Sequence, residues 1–363
     1  MSFDKKNDCV VITGAAGFVG GRALYKLSRD GYAHIVATDV CKPDFEMPKN
    51  VQFETMDITS RDSIESFLSN HKPKAIINIA AVFNFAAPWE LLNKVNVEGP
   101  ASLLDAGKRH GLEHLVQISS GTVYENNRML TEDSPLCPIE PYGKSKLEME
   151  RKLAGHSGTR ITILRPAVIY GPQFPSGSRY GAALAMFAQY MLAKLFMGLT
   201  GHPYGGADNE ACYVHVDDVI GAQEFTLEKE LSGTFNIVDQ TPVTHRQLGQ
   251  IVLEAMKLPW YWSLLKGKSI PLPEKPMKKF GKIYKKASPV LRKLGITLPL
   301  DEGSFTYMFG GNFSMNPAKL MSHGFTHEHP SAFKSMPPVV REYIDSNWEI
   351  LVGKKPAKIL SML

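Results

Sequence analysis

The stretch that most limits how this chain folds is Cys9-Val10-Val11-Ile12-Thr13, followed at once by Gly14-Ala15-Ala16-Gly17-Phe18-Val19-Gly20. A short β-branched run predicts a strand, and the pattern over 20–30 predicts a helix directly behind it. Glycines at 14, 17 and 20 suit a tight turn, a close approach of backbone to a pyrophosphate, and close contact between helix and strand. The free amides that open such a helix, with Phe18 and Val19 in its first turn, face anionic phosphates. A tight turn that holds no ligand uses the same glycines, so the rest of the chain has to decide.

It does so by repetition. Residues 9–13, 34–39, 51–56, 75–80, 115–119 and 159–164 read as strands, and 20–30, 60–70, 88–110 and 142–156 carry helical periodicity. Strands that alternate with helices predict a parallel sheet covered on both faces, joined by right-handed crossovers. The expected fold is α/β, a doubly wound parallel (Rossmann) sheet with a smaller, mostly helical C-terminal substrate lobe. Two later strands, near 212–215 and 234–238, are expected to extend the sheet. The division is then 1–175 for the dinucleotide-binding domain, with 212–239 returning to it, and 176–211 with 240–350 for the lobe.

Composition excludes several alternatives. The chain of 363 residues is 44% hydrophobic and 21% charged, which is too apolar for global disorder. Cys9, Cys41, Cys137 and Cys212 are too scattered for a disulfide framework or a CxxC metal site, and are expected as reduced, mostly buried thiols. The first apolar run is too short for a signal peptide, and Gln189 and Lys194 interrupt the longest one. A cytoplasmic location is therefore expected. The net charge of +5 conceals a segment, 266–293, with ten basic residues against the single acid Glu274. A mildly acidic body with one basic segment does not resemble a nucleic-acid binder, which needs basic patches with interleaved aromatics.

Strand two ends at Asp39. A carboxylate there can accept from both ribose hydroxyls of an adenosine and would repel a 2′-phosphate, so NAD is expected over NADP. Asp39 can also cap a turn. Asp57, with Ile58 beside it, follows the third strand and is placed to meet the adenine. Tyr142-Gly143-Lys144-Ser145-Lys146 sets a phenol and an ammonium on one helix face. A nearby cation stabilises phenolate and brings the phenol toward the range in which a general acid or base works. Upstream, Ile118-Ser119-Ser120-Gly121-Thr122-Val123-Tyr124 ends a strand with hydroxyls that can polarise a carbonyl.

In this order, the glycine turn, the strand-end serines and YxxxK resemble the extended short-chain dehydrogenase/reductase family, also called the NAD-dependent epimerase/dehydratase superfamily. The resemblance spans nearly the whole chain and adds Lys94–Gly99 (KVNVEG), Arg165–Pro172 (RPAVIYGP) and Tyr213–Val219 (YVHVDDV). It implies an NAD-dependent enzyme in which Tyr142 is the acid/base, Lys146 lowers its pKa and holds the ribose, and Ser120 bonds the substrate oxygen, with Thr122 as the alternative. It further implies that Ala80, Ala81 and Val82 line the cofactor groove, that Asn96 belongs to the cofactor site, and that Ala167 lies behind the nicotinamide. A homodimer through helices 88–110 and 142–156 is also implied.

Two departures bear on substrate. Nucleotide-sugar members of the family usually hold the diphosphate with an Asn where Val168 stands, and with an Arg in the stretch that here reads Asn209-Glu210-Ala211-Cys212. The lobe offers Phe187, Tyr190, Met191, Phe196 and Met197, which also suit an ordinary core. Residues 288–300 and 310–320 look like the 3β-hydroxysteroid and sterol-4-carboxylate dehydrogenase branch. The expected substrate is therefore a secondary alcohol or ketone of an apolar, sterol-like molecule. A nucleotide-sugar epimerase or dehydratase is the alternative, and a non-catalytic NAD-binding scaffold the second.

Within the insertion 275–293, Met277, Phe280, Ile283 and Tyr284 share one helical face, and Lys278, Lys279, Lys282, Lys285 and Lys286 the other. That pattern suits peripheral contact with an anionic membrane, or a solvated face packed on the lobe. Trp260-Tyr261-Trp262 would add interfacial aromatics or core. His323, His327 and His329 lack supporting ligand spacing, and no metal is expected.

Overall fold

A computed structural model describes residues 3–83, 87–125, 127–172, 208–244, 247–248, 250–251 and 312–345. Seven parallel strands form the central sheet: β1 (Cys9–Thr13), β2 (His34–Thr38), β3 (Val51–Phe53), β4 (Ala75–Asn78), β5 (His114–Ile118), β6 (Arg160–Pro166) and β10 (Gly233–Ile237). Their order across the sheet is β3-β2-β1-β4-β5-β6-β10. The chain thus leaves β1 toward one edge, returns, and continues from β4 toward the other. Ligands of open α/β sheets bind at that reversal, off the carboxyl ends of the strands.

Alternation along β1 explains why helices cover both faces. Val10 and Ile12 join one buried cluster, with Ala23, Leu24 and Leu27 of α1 (Phe18–Arg29) and Val219 and Ile220 of α6 (Val216–Glu228). Val11 points the other way, into a cluster with Ile64, Phe67 and Leu68 of α2 (Arg61–His71), Leu103 and Leu104 of α4 (Gly99–Arg109), and Met149 and Leu153 of α5 (Pro141–Ala154). A strand buried on both faces reads as a continuous apolar run, as Val10-Val11-Ile12 does.

The structure departs from the sequence expectations in three places. Strand β9 (Tyr213–His215) does not extend the main sheet; it pairs with β7 (Val168–Tyr170), which follows β6 after the single residue Ala167. The main-sheet position beside β6 is taken by β10, so a strand at 213–215 has to pair elsewhere. The expected helix over 88–110 is broken into α3 (Trp89–Leu92), a π-helical turn over Asn93–Glu98, and α4. Among the cysteines, only Cys212 is fully buried, while Cys41 and Cys137 are exposed and all four are free.

Two short strands, β8 (Glu210–Ala211) and β11 (Val243–Thr244), pair antiparallel, and α7 (Ala318–Ser322) and α8 (Ala332–Asp345) close the described chain. Most of the expected substrate lobe, including Phe187–Met197 and the basic stretch 275–293 with its expected membrane contact, lies outside the described residues. Among the described residues no helix is long and apolar enough to cross a membrane.

Candidate active site

At the reversal point the strand ends carry polar side chains in a buried layer. Thr13 Oγ1 donates to Asn78 Oδ1 and accepts the Ile79 and Ala80 amides, both at 3.1 Å. Asn78 Nδ2 donates to Gln117 Oε1 at 2.7 Å. This layer fixes the loop that leaves β4 against the glycine turn. Sequence reading missed it, because single Thr, Asn and Gln residues at three strand ends have no shared spacing.

The glycine turn has the form a pyrophosphate needs. Gly14 sits at φ +67°, and a Cβ there would lie 2.8 Å from the Ala80 nitrogen. Gly20 is tighter still: its Cβ would fall 2.1 Å from the Gly14 carbonyl oxygen. Helix α1 starts at Phe18 behind Gly17, with no side-chain cap and no acid in its first turn. Its first amides, including Phe18 and Val19, are thus left for an anion, which the helix dipole also favours. A dinucleotide fits this end of the sheet.

Asp39 lies beside the turn. Its Oδ2 accepts the Ala16 amide at 3.0 Å and its Oδ1 the Val40 amide at 2.7 Å. The carboxylate braces the turn; Oδ1 also accepts the Cys41 thiol at 3.9 Å, and Oδ2 keeps a second lone pair for a ribose hydroxyl. We expect NAD to bind at least about tenfold tighter than NADP, a gap of about 1.4 kcal/mol. Calorimetry on Asp39→Ala should show the gap narrowing; equal affinities in the parent protein would refute the assignment. Asp57 is exposed, and its Oδ1 accepts the Thr59 amide and hydroxyl, both at 2.8 Å, which holds the carboxyl below its usual range. Ile58 is buried beneath it.

The three expected catalytic residues come together at the carboxyl end of β5. Glu140 caps α5 by accepting the Gly143 amide at 2.7 Å, and Pro141 starts the helix with a preset φ. Tyr142 and Lys146, one turn apart, are both buried. Ser120 hydrogen-bonds the Tyr142 side chain and draws its pKa down. Thr122 donates to Ser120 Oγ through its amide at 3.1 Å and its hydroxyl at 3.0 Å, so it supports the serine. Ser119 points away, its Oγ donating to Glu150 at 2.5 Å.

One electrostatic expectation needs correction. Burial and then Glu140 push the Tyr142 phenol above its ordinary range. Lys146 does not reverse this: its Nζ donates to the Ile118 carbonyl at 3.0 Å and stands 5.7 Å from the Tyr142 ring centroid. Burial pulls Lys146 itself down to about 8, against an opposing pull from Glu150. At neutral pH the lysine is charged and the phenol carries its proton.

Asn96 is turned into the protein beside the groove. In the π-helical turn it is fully buried, with Oδ1 accepting the Val82 amide at 2.8 Å and Nδ2 donating to Val82 O and Ser145 Oγ, both at 3.1 Å. Its amide is consumed by the protein, so it shapes the groove through Val82. Inserted π turns of this kind recur at functional sites. Ala80, Ala81 and Val82 are half-buried along the groove, and Ala167 is buried behind it, its amide donating to Ile237 O at 2.9 Å. Phe83 stands edge-on to Tyr142 at 5.1 Å and is 46% exposed. Sequence reasoning had not singled it out.

The three C-terminal histidines do not meet. His323 lies on the surface and His327 approaches the Val238 carbonyl. His329 instead stacks on His215 at 3.7 Å, with Asp217 within reach of both. Arg22 already pairs with Asp217 at 3.3 Å and the Asp217 amide approaches His215 Nδ1, so the cluster has protein partners.

A doubly wound sheet, an uncapped glycine turn and a Ser–Tyr–Lys set at its reversal point define a dinucleotide-dependent enzyme of the short-chain type. The chain belongs to the NAD dependent epimerase/dehydratase family, which is matched over residues 10–237, and its cofactor is NAD. It is 26% identical to a UDP-glucose 4-epimerase of Bacillus subtilis over 72% of this chain and 83% of that one. With a UDP-glucose 4-epimerase of Mycolicibacterium smegmatis it shares 30% identity over 58% of this chain and 71% of that one. In fold it resembles the Thermus thermophilus UDP-glucose 4-epimerase solved in complex with NAD, at a TM-score of 0.64 and 24% identity over 92% and 98% of the two chains.

Proposed function

We propose that the chain reversibly oxidises a secondary carbinol with NAD, and that its substrate is a nucleotide sugar processed by epimerisation. The placement of Tyr142 against Ser120 at the sheet's reversal point carries the chemistry; the sugar-nucleotide epimerases among its relatives carry the substrate class. Bound NAD supplies the hydride acceptor and, when oxidised, a positive charge at the site. Ser120 holds the substrate oxygen, and the Tyr142 oxygen, once the phenol has released its own proton, takes the hydroxyl proton as the carbon loses its hydride. In the return step the protonated phenol gives that proton back to the carbonyl oxygen. Lys146, charged at neutral pH and 5.7 Å from the ring centroid, contributes a positive charge that favours phenolate without offsetting burial in the ligand-free site. The UDP-glucose 4-epimerases among the relatives favour epimerisation over dehydration for this proposal.

A second reading, oxidation of an apolar sterol-like alcohol, is favoured by one observation. Val168 occupies the usual diphosphate asparagine position, and the stretch before β9 carries Glu210, which pairs with Arg128 and accepts from Ser314 at 2.7 Å. A carboxylate there does not attract a diphosphate. The deciding experiment incubates the protein and NAD with UDP-glucose or with a 3β-hydroxysterol. Conversion of UDP-glucose to its epimer without net reduced cofactor is expected; accumulation of reduced cofactor with the sterol alone would install the second reading. A homodimer across the outer faces of α4 and α5 is proposed on family resemblance.

A further inference from the structure

We propose that Glu150 is a positioning residue of the active site, joining the Lys146 ammonium, the Ser119–Ser120 strand end and Arg165 of β6 into one unit. Glu150 lies one helical turn beyond Lys146 on α5 and therefore shares its face. Its carboxylate is almost wholly buried and is held from two other elements. Arg165 Nη2 reaches Glu150 Oε2 at 2.6 Å, and Arg165 Nε reaches both carboxylate oxygens at 3.0 and 3.2 Å. Ser119 donates to Oε1 at 2.5 Å. Arg165 in turn donates to the Tyr124 hydroxyl at 2.7 Å and the Glu132 carbonyl at 3.3 Å, and the Tyr124 hydroxyl donates to Asn236 Oδ1 at 2.8 Å. The network ties β5, β6, β10 and the catalytic helix together beneath the site.

A buried ion pair is a costly way to hold elements together, because desolvation offsets most of its attraction. Its position explains what it contributes. Lys146 needs a charge in a dry environment, and burial opposes that charge. The groups that act on it are Glu150 and, 5.7 Å away, the Tyr142 ring, both on its own helix; Glu140 at the cap acts on Tyr142, Arg165 from β6 contacts Glu150 and Tyr124, and Glu132 acts on Tyr124. Glu150 is the carboxylate that favours the ammonium, while Arg165 aims that carboxylate and competes with the ammonium for it. Ser119, turned toward Glu150, leaves Ser120 to face Tyr142.

This inference rests on the NAD-dependent reading, and its test uses NAD binding alone, so the substrate class does not affect the outcome. Calorimetry on the full-length protein from pH 6.5 to 9.5 should show NAD affinity falling as Lys146 loses its proton near pH 8. Glu150→Gln removes the favouring charge, so the midpoint should move down by about one pH unit, a tenfold change in the protonation equilibrium. Arg165→Met removes the competing cation and should move the midpoint up. A purely structural role would shift neither midpoint, or both in one direction, and either result would overturn the proposal. Should neither variant fold, Glu150→Asp keeps the charge and should keep the wild-type midpoint; a displaced midpoint there, or a pH-independent affinity in the wild type, also overturns it. A failure to turn over any carbinol while these shifts appear would count against the proposed function only.

Discussion

Tyr142→Phe should lower turnover by about 10²–10⁴ while NAD affinity stays nearly unchanged. The substitution deletes one oxygen from a ring packed with Ala87 and Leu92, so the fold has little reason to respond. What disappears is the group that exchanges the proton with the substrate oxygen. Ser120 stays beside the ring and can still hold that oxygen, and Lys146 is anchored to Ile118 rather than to the phenol. Reduced nicotinamide absorbance in a single turnover gives the rate, and calorimetry gives the affinity. Wild-type turnover in the variant would mean that another group is the acid/base. Because the phenol lies above its ordinary range in the ligand-free site, its deprotonation should require charge from the oxidised cofactor. The parent enzyme should then show a lower apparent phenol pKa with oxidised cofactor bound than without it.

Gly20→Ala should weaken NAD binding by at least about a hundredfold, close to 2.7 kcal/mol, with little change in the far-ultraviolet signature of the sheet. The added methyl would sit 2.1 Å from the Gly14 carbonyl oxygen and 2.9 Å from Ala15 Cα. All its neighbours are backbone, so no side chain can turn aside. Either α1 moves off β1 or the turn opens, and both displace the first-turn amides from the phosphates. Overpacking of this kind costs about 1–3 kcal/mol, which a sheet of seven strands can absorb. Retention of NAD affinity within about threefold would place the pyrophosphate elsewhere.

Most of the sheet was legible along the chain, with strand bounds moving by a few residues. The reason is local: β-branched runs and helical spacing are written in consecutive residues, and parallel strands buried on both faces leave an unbroken apolar signature. The same holds for the glycine turn and for Tyr142 with Lys146, whose shared face follows from helical spacing. The π turn at 93–98 was not legible, because one extra residue in a helical turn leaves the apolar pattern nearly intact. Nor was the pairing of β9 with β7, which depends on β10 having already claimed the edge of β6.

Read alone, the residues were enough to establish the doubly wound sheet, the dinucleotide end and the phenol–ammonium pair, since each strand, the glycine turn and the YxxxK helix is encoded within a dozen consecutive positions. Tertiary structure decided the rest. It turned Ser119 toward Glu150 and Ser120 toward Tyr142, directed Lys146 to the Ile118 carbonyl, and folded Asn96 inward on Val82. It also raised the phenol's pKa where proximity to a cation had suggested the opposite. In each case the outcome depends on which distant strand supplies a partner and how completely water is excluded, and neither is a property of neighbouring residues in the chain.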